Sequence, residues 1–415
     1  MTSAGYRELL RDNRAVRWLW IGSAVSLFGD WFNTMAIFGL VERLTGSPLA
    51  LGVVFAIKLM GYAVFGLPGG LLADRVNRKA LMITADLARA VIVLGFILVE
   101  DAGDMPLLFV LMTLQVGFGA SFDPAFRASL PNITTPRELL TANALLAATW
   151  SALLAIGAAV GGLATARLGT DAVFAIDAVT YLFSAYAVSR VAIPFVRPPP
   201  ASANIAVAAA RELRAGWRYL VARPAVARIA LAKASWAIGG AGLVYFLTQL
   251  GPLLTPGDAA LGIGLLFSVR GVGTGLGPLI ARRWFTDPGR WPVLLGACVA
   301  ASGLAYLAVG VVAWSFLIAV PIAFAHAASG ANWVVSTQIL QERVADGFRG
   351  RVFGAEMVAL MSVEAAFTLL AAALLEAEVL DLRAGVLIFA AAQLLCGAAW
   401  MFWPPRRDSM DESLS

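Results

Sequence analysis

Ionisable side chains stand inside long apolar runs of this sequence, among them Asp30, Lys58, Arg270, His326 and Glu364. A charge placed in hydrocarbon is costly and is kept where it is paired or used, so such residues mark ion pairs, proton relays or substrate paths. In FGDWFNT, Asp30 shares a helical face with Asn33 and Thr34, which makes a polar stripe pointing into a bundle and Asp30 the sharper site for proton handling. With a rise of about 1.5 Å per residue, Asp30 lies roughly 18 Å and Lys58 roughly 20 Å from the same membrane face, so the two can equally be mutual neutralisers. Arg270 and Glu364 form a second opposed pair near mid-membrane, and a carboxylate released from its arginine in one conformation could carry a proton. Asp86 and Arg89, three apart on one helix, read as a local structural pair. His326 is read first as a hydrogen-bonded packing residue and second as a coupling group, and Lys233 and Glu356 as snorkelling side chains near inner helix ends.

Enzymatic chemistry is not readable. There is no nucleophile–base set, no Walker loop and hence no direct use of ATP, and GVGTGLG at 271–277 lies in an apolar run without a preceding strand. One histidine and two cysteines, Cys298 and Cys396, make no metal cluster, so neither a metal nor a cofactor is expected.

The elements that position these residues are membrane helices. Of 415 residues, 60% are hydrophobic and 14% charged, with a mean hydropathy of +0.80, which excludes a water-soluble globular domain. Apolar segments long enough to span lie near 16–41, 49–72, 80–99, 106–127, 141–165, 172–193, 228–251, 259–281, 291–312, 314–336, 352–375 and 384–403. The net charge of +5 signals topology rather than nucleic acid: with the N-terminus inside, 24 Lys and Arg fall inside, 3 outside and 4 within spans, placing both termini in the cytoplasm. Residues 1–15 read as a basic lead-in on the inner surface, and the first span is too long for a signal-peptide core. The expected division is a six-helix bundle at 1–193, a linker at 194–227 and a second bundle at 228–415. The linker opens with Pro194 and Pro198–Pro200 and continues as an amphipathic helix with Arg211, Arg214 and Arg218 on one face. A repeat supports the division: Leu51, Gly52, Gly61 and Pro68 recur as Leu261, Gly262, Gly271 and Pro278 at one offset.

Between the second and third spans lies GGLLADRVNRK, residues 69–79. Gly70, Asp74, Arg75, Arg78 and Lys79 stand at the spacing of the signature hairpin of the major facilitator superfamily, with Asn77 in place of its second glycine. Asn also tolerates left-handed turns. LFGDW, DPAFRASLPNITTPRELLTANAL and LQERVADGFRGRVFG extend the resemblance to the branch containing the enterobactin exporter and macrolide efflux proteins. Gly157, Gly161 and Gly162 resemble part of the antiporter motif of proton-driven exporters, with Ala158 in place of its proline; small residues there also serve helix packing.

The resemblance implies an all-α membrane protein of twelve helices in two pseudo-symmetric six-helix bundles, working as a proton-driven rocker-switch exporter with a central cavity. It implies a latch in which Asp123 pairs with Arg78 while Asp74 faces the start of the eleventh span near Arg351. Trp31, Trp150, Trp236, Tyr245, Phe246 and Trp333, with Asn33 and Thr34, are the side chains that could line the cavity for amphipathic or aromatic substrates. The expectation is a non-enzymatic, monomeric antiporter of the bacterial cytoplasmic membrane that exchanges protons for drugs or siderophores, contacts membrane lipids and binds no nucleic acid. A lysophospholipid carrier or scramblase on the same fold is the alternative, and it would tolerate substitution of Asp30 and Glu364.

Overall fold

The computed structural model describes residues 5–194, 204–285 and 287–402; Pro198–Pro200, named above, and the cations Arg197, Arg406 and Arg407, counted above as inside, lie outside them. Among the described residues the regular elements are helical: α1 (Tyr6–Asp12), α2 (Arg14–Thr45), α3 (Pro48–Arg75), α4 (Arg78–Gly95), α5 (Met105–Ile133), α6 (Pro136–Leu168), α7 (Thr170–Ser189), α8 (Ile205–Ala222), α9 (Pro224–Ala230), α10 (Ala232–Leu254), α11 (Ala259–Trp284), α12 (Trp291–Val311), α13 (Ala319–Arg343), α14 (Arg349–Glu376) and α15 (Leu382–Phe402). Among the described residues, twelve helical segments are long and apolar enough to cross a membrane: α2 to α7, α9 with α10 as one segment, and α11 to α15. The chain is a multi-pass membrane protein with the twelve spans expected.

Local chemistry sets the helix ends. Asn13 accepts from the Val16 N–H at 3.0 Å to start α2, and Thr135 with Glu138 forms a capping box at α6. Gly46, at φ 55°, ends α2 in a left-handed turn that a side chain would strain. Within the basic lead-in, α1 buries Leu9 against Val16 of α2 and Ala142 of α6.

The chain forms two compact units, each with two membrane-spanning helices divided between them. Unit 1 holds Met1–Ser47, Val64–Ala206 and Thr255–Ser268; unit 2 holds Pro48–Ala63, Val207–Leu254 and Val269–Ser415. In unit 1 the main packing pairs are α2 with α7 and α6, and α4 with α7 and α5. In unit 2 they are α10 with α15 and α14, and α12 with α15 and α13. Each pair in one unit has its counterpart in the other when the helices are taken in order from α2 and from α10, as two copies of one bundle require. The helices equated by the repeat, α3 and α11, are the two that are divided.

Close backbone approach holds these pieces. In unit 1, a Cβ on Gly162 of α6 would meet the backbone of Ala260 and Gly264 in the first part of α11, so the glycines mark a helix contact that larger residues would force apart. In unit 2, Leu49 N–H at the start of α3 donates to Glu376 of α14 at 3.1 Å, and the Tyr245 hydroxyl donates to the Pro48 carbonyl at 2.8 Å. Gly273 and Gly277, within the glycine-rich run at 271–277, lie against the α13 backbone at Ala323 and Ala331, as helix packing requires.

Candidate functional site

In unit 1 a polar cluster occupies the middle of the bundle. It is built from α2, α4, α5 and α7, whose facing residues recur at helical spacing: Asp86 and Arg89 on α4, and Asp177, Tyr181 and Ser184 on α7. Arg89, 5% exposed, binds the fully buried Asp86 and lies 4.0 Å from Asp30 Oδ2 on α2. Its guanidinium carbon sits 4.4 Å over the Tyr181 ring and 5.0 Å over Phe122 of α5, so aromatic faces cover a cation that hydrocarbon would expel. The Tyr181 hydroxyl donates to Asp30 Oδ1 and accepts from Gln115 Nε2 of α5 at 3.0 Å. Asp177, with no exposed surface, has its Oδ1 3.0 Å from the Thr180 hydroxyl oxygen and packs where Gly29 of α2 carries no side chain. The Asp30 side chain alone among these carboxylates is open, 37% exposed.

The Asp30 carboxylate is thus engaged inside unit 1 by Tyr181 and Arg89. Lys58 lies in the part of α3 that belongs to unit 2. Asp86–Arg89, read as a local pair, joins that same cluster. The stripe of Asn33 and Thr34 also turns inward: both are buried, Asn33 beside Asp177, and the Thr34 hydroxyl donates to its own helix at the Asp30 carbonyl, 2.7 Å away.

Unit 2 carries a second cluster. Arg270 of α11 lies within electrostatic reach of Glu364 of α14, Tyr306 of α12 and His326 of α13. His326 is 2% exposed and shares a hydrogen bond of 2.9 Å with the Tyr306 hydroxyl. A further pair falls where snorkelling was expected. Lys233 of α10 and Glu356 of α14 are 5% and 2% exposed and pair at 2.9 Å, with Lys233 also donating to Thr337 at 2.9 Å and lying 4.4 Å over the Trp333 ring. Nearness to a helix end allows snorkelling, but an opposite charge at the same level on a packed neighbour removes the need for water.

The hairpin at 69–79 is a set of helix-end contacts. Arg78 donates to the Ala128 carbonyl of α5 at 2.7 Å, the Ala73 carbonyl at 3.3 Å and Asp74 at 3.3 Å; Lys79 donates to the Ser189 carbonyl that ends α7 at 2.6 Å. Cations at helix C-termini satisfy the carbonyls left over there. The latch expected by resemblance is therefore differently wired: Arg78 is engaged within its own hairpin and by α5, and the exposed Asp123 makes no ion pair among the described residues. Arg351 pairs with Glu212 of α8, and Asp74 with Arg78. Asn77 is not left-handed; at φ −63° and ψ 111° it caps α4 by accepting from Ala80 N–H at 3.1 Å. Gly69 rather than Gly70 makes the close contact, lying on the Ala120–Ser121 backbone, while a Cβ on Gly70 would meet only Pro124 at 3.9 Å.

The aromatic set divides. Tyr245 and Phe246 are packing residues, fully buried, with Phe246 edge-on to Phe389 at 5.5 Å. Trp31 packs on Gly157, and Trp236, 9% exposed, on Gly240. Trp150 and Trp333 are exposed, at 43% and 45%. A groove of about 770 Å³ between α12 and α13, lined by Leu304, Ala308, Val312, Leu317, Val320 and Phe324 among others, contains none of the ionisable residues. Asp177, Tyr181, Gln115 and Tyr306 were missed by sequence reasoning; a lone Asp within the apolar run VFAIDAVTYLF was the available signal.

Comparison with known proteins agrees with this architecture. The chain is 30% identical over 190 residues to the putative bacilysin exporter BacE of Bacillus subtilis, covering 46% of each chain. It is 30% identical over 178 residues to macrolide efflux protein A of Streptococcus pyogenes, covering 42% of this chain and 44% of that one. The chain thus spans about half the length of these curated relatives. An autoinhibited peptide transporter of the POT family superposes with a TM-score of 0.72 at 14% identity, covering 93% of this chain and 96% of that one, a likeness of fold. The family description of the Major Facilitator Superfamily matches residues 19–355, and to that superfamily of transporters the chain belongs.

Proposed function

We propose that the chain is a proton-coupled exporter of amphipathic small molecules in a bacterial cytoplasmic membrane, a monomer with both termini in the cytoplasm, bundles at 1–193 and 228–415 and a linker at 194–227. The observation that carries this reading is the Asp30 cluster: one half-open carboxylate bound to a buried guanidinium that is shared with a second carboxylate. A proton arriving at Asp30 removes its attraction to Arg89 and strengthens the hold of Asp86 on that cation. Loss of the proton restores the contact, so occupancy by a proton can bias a two-state element in the bundle. Arg270, Glu364 and His326 provide the corresponding set in unit 2. The cation distribution supports the orientation, and the named activities of BacE and macrolide efflux protein A support drug-like cargo and outward direction. Siderophores of similar amphipathic character belong to the same substrate class. Of the aromatic set, Trp150 and Trp333 have the exposure needed to meet a substrate.

The test is substrate-induced proton movement in proteoliposomes with a macrolide, a catecholate siderophore and a lysolipid, comparing wild type with Asp30→Asn and Glu364→Gln. Proton flux that appears with one substrate and is lost in either variant is the expected result. Substrate movement indifferent to the gradient and to both substitutions refutes antiport and favours a lipid carrier or scramblase.

A further inference from the structure

Asp177 is the carboxylate that the coupling scheme above does not use, and like Asp86 it is fully enclosed. It has no exposed surface, and its Oδ2 is buried without a hydrogen-bond partner. The Thr180 hydroxyl lies 2.7 Å from the Asp177 backbone carbonyl and 3.0 Å from Asp177 Oδ1. A hydroxyl has one hydrogen, and the shorter contact claims it; the longer one is satisfied when a protonated Asp177 donates to the Thr180 oxygen. The groups facing Asp177 are Asp30 and Asn33 from α2, Arg89 from α4, and Thr180 and Tyr181 on α7, with Asp86 held by the same Arg89. Asp30, Asp86 and Asp177 gather around one guanidinium, with the Asp123 and Arg127 charges of α5 facing the set together. Fully ionised, the set carries two uncompensated negative charges in a dry interior, and protons are what neutralise it. Asp86 binds Arg89 directly and Asp30 opens toward solvent, which leaves Asp177 as the interior acid.

We infer that Asp177 is a proton store, held as a neutral carboxylic acid behind Asp30 and discharged through it. In the transfer, the O–H bond of Asp177 breaks, one forms on the Asp30 carboxylate, and Asp177 becomes the anion facing Arg89; no electron changes hands. Asp30 is the portal and Asp177 the reservoir, so the cluster titrates as a unit. The store's part in transport rests on the proton-coupled reading above, whereas its protonated resting state does not.

The experiment uses the full-length protein in lipid and measures the carbonyl-stretch band of protonated carboxylic acid by difference infrared spectroscopy across a pH series. Wild type, Asp177→Asn and Asp177→Glu are compared, with substrate-driven proton flux recorded on the same preparations. The expected result is a band in wild type that is lost in Asp177→Asn and returns, displaced, in Asp177→Glu, with proton flux lost and restored in parallel. Retention of the Asp177→Glu signal guards against a fold defect in the asparagine variant. A wild-type protein without the band, or an Asp177→Asn variant with unaltered band and flux, overturns the inference. A band assigned to Asp177 together with substrate movement that carries no protons refutes antiport and the transfer step, while loss of Asp177 with intact coupling refutes the store alone.

Discussion

The Lys233–Glu356 pair gives a quantitative test of how charge is buried in unit 2. At 2.9 Å, with side chains 5% and 2% exposed, the two charges attract by about 6 kcal/mol at an effective dielectric of about 20, which desolvation of both largely cancels. Removing one partner leaves the other desolvated and uncompensated, at a cost of about 3–5 kcal/mol. The survivor can escape by becoming neutral, which at pH 7 caps the cost at about 4 kcal/mol for a glutamate and about 5 kcal/mol for a lysine from their ordinary pKa values. Lys233 retains the Thr337 hydroxyl and the Trp333 face when Glu356 is lost, so Glu356→Gln is expected near the lower end of the range. Lys233→Met is expected near 4 kcal/mol. The double variant Lys233→Met/Glu356→Met, which removes both charges, is expected within about 1.5 kcal/mol of wild type. The assay is unfolding free energy in mixed micelles across this double-mutant cycle. Single variants costing less than about 1 kcal/mol, or a double variant costing the sum of the singles, would refute a buried, mutually dependent pair.

Two contrasts probe the hairpin. Gly69→Ala places a methyl against the Ala120 backbone and is expected to lower stability by about 1–3 kcal/mol, while Gly70→Ala, with only Pro124 at 3.9 Å, is expected neutral or slightly stabilising through helix propensity; thermal melts of the two variants decide this. Asn77→Ala removes the α4 cap and is expected to cost about 1 kcal/mol, whereas Asn77→Gly, which restores the family's own residue, is expected to cost a few tenths; equal losses in the same melts would show that the cap is idle. For the cluster, Tyr181→Phe takes a donor from Asp30 and an acceptor from Gln115, so a loss of about 1–2 kcal/mol with slowed proton coupling is expected, read by unfolding and flux together.

The twelve spans and their order were legible because hydrocarbon allows few alternatives: an apolar run of about 20 residues must be a helix. The repeat at 51 and 261 pointed to the two helices that the structure divides between units. Partners were harder to read. The depth of Asp30 was legible, but depth is one coordinate and the identity of its partners needs the helix face and the neighbour as well. Those were set by the packing of α2 on α7, which brings Tyr181 and Asp177 to Asp30 and which no local pattern encodes. Lys233 and Glu356 are 123 residues apart and look like separate end residues until α10 and α14 are seen side by side. At Asn77 the departure from the family pattern carried its own explanation, because asparagine is a good N-cap as well as a tolerant turn residue.

The most direct test of the central claim is the simultaneous recording of substrate and proton flux in proteoliposomes of the wild-type chain, with the pH gradient set in each direction in turn. The account predicts substrate leaving against its gradient while protons enter, with the direction reversing when the pH gradient is reversed. Substrate flux of the same size and direction under both gradients would contradict it.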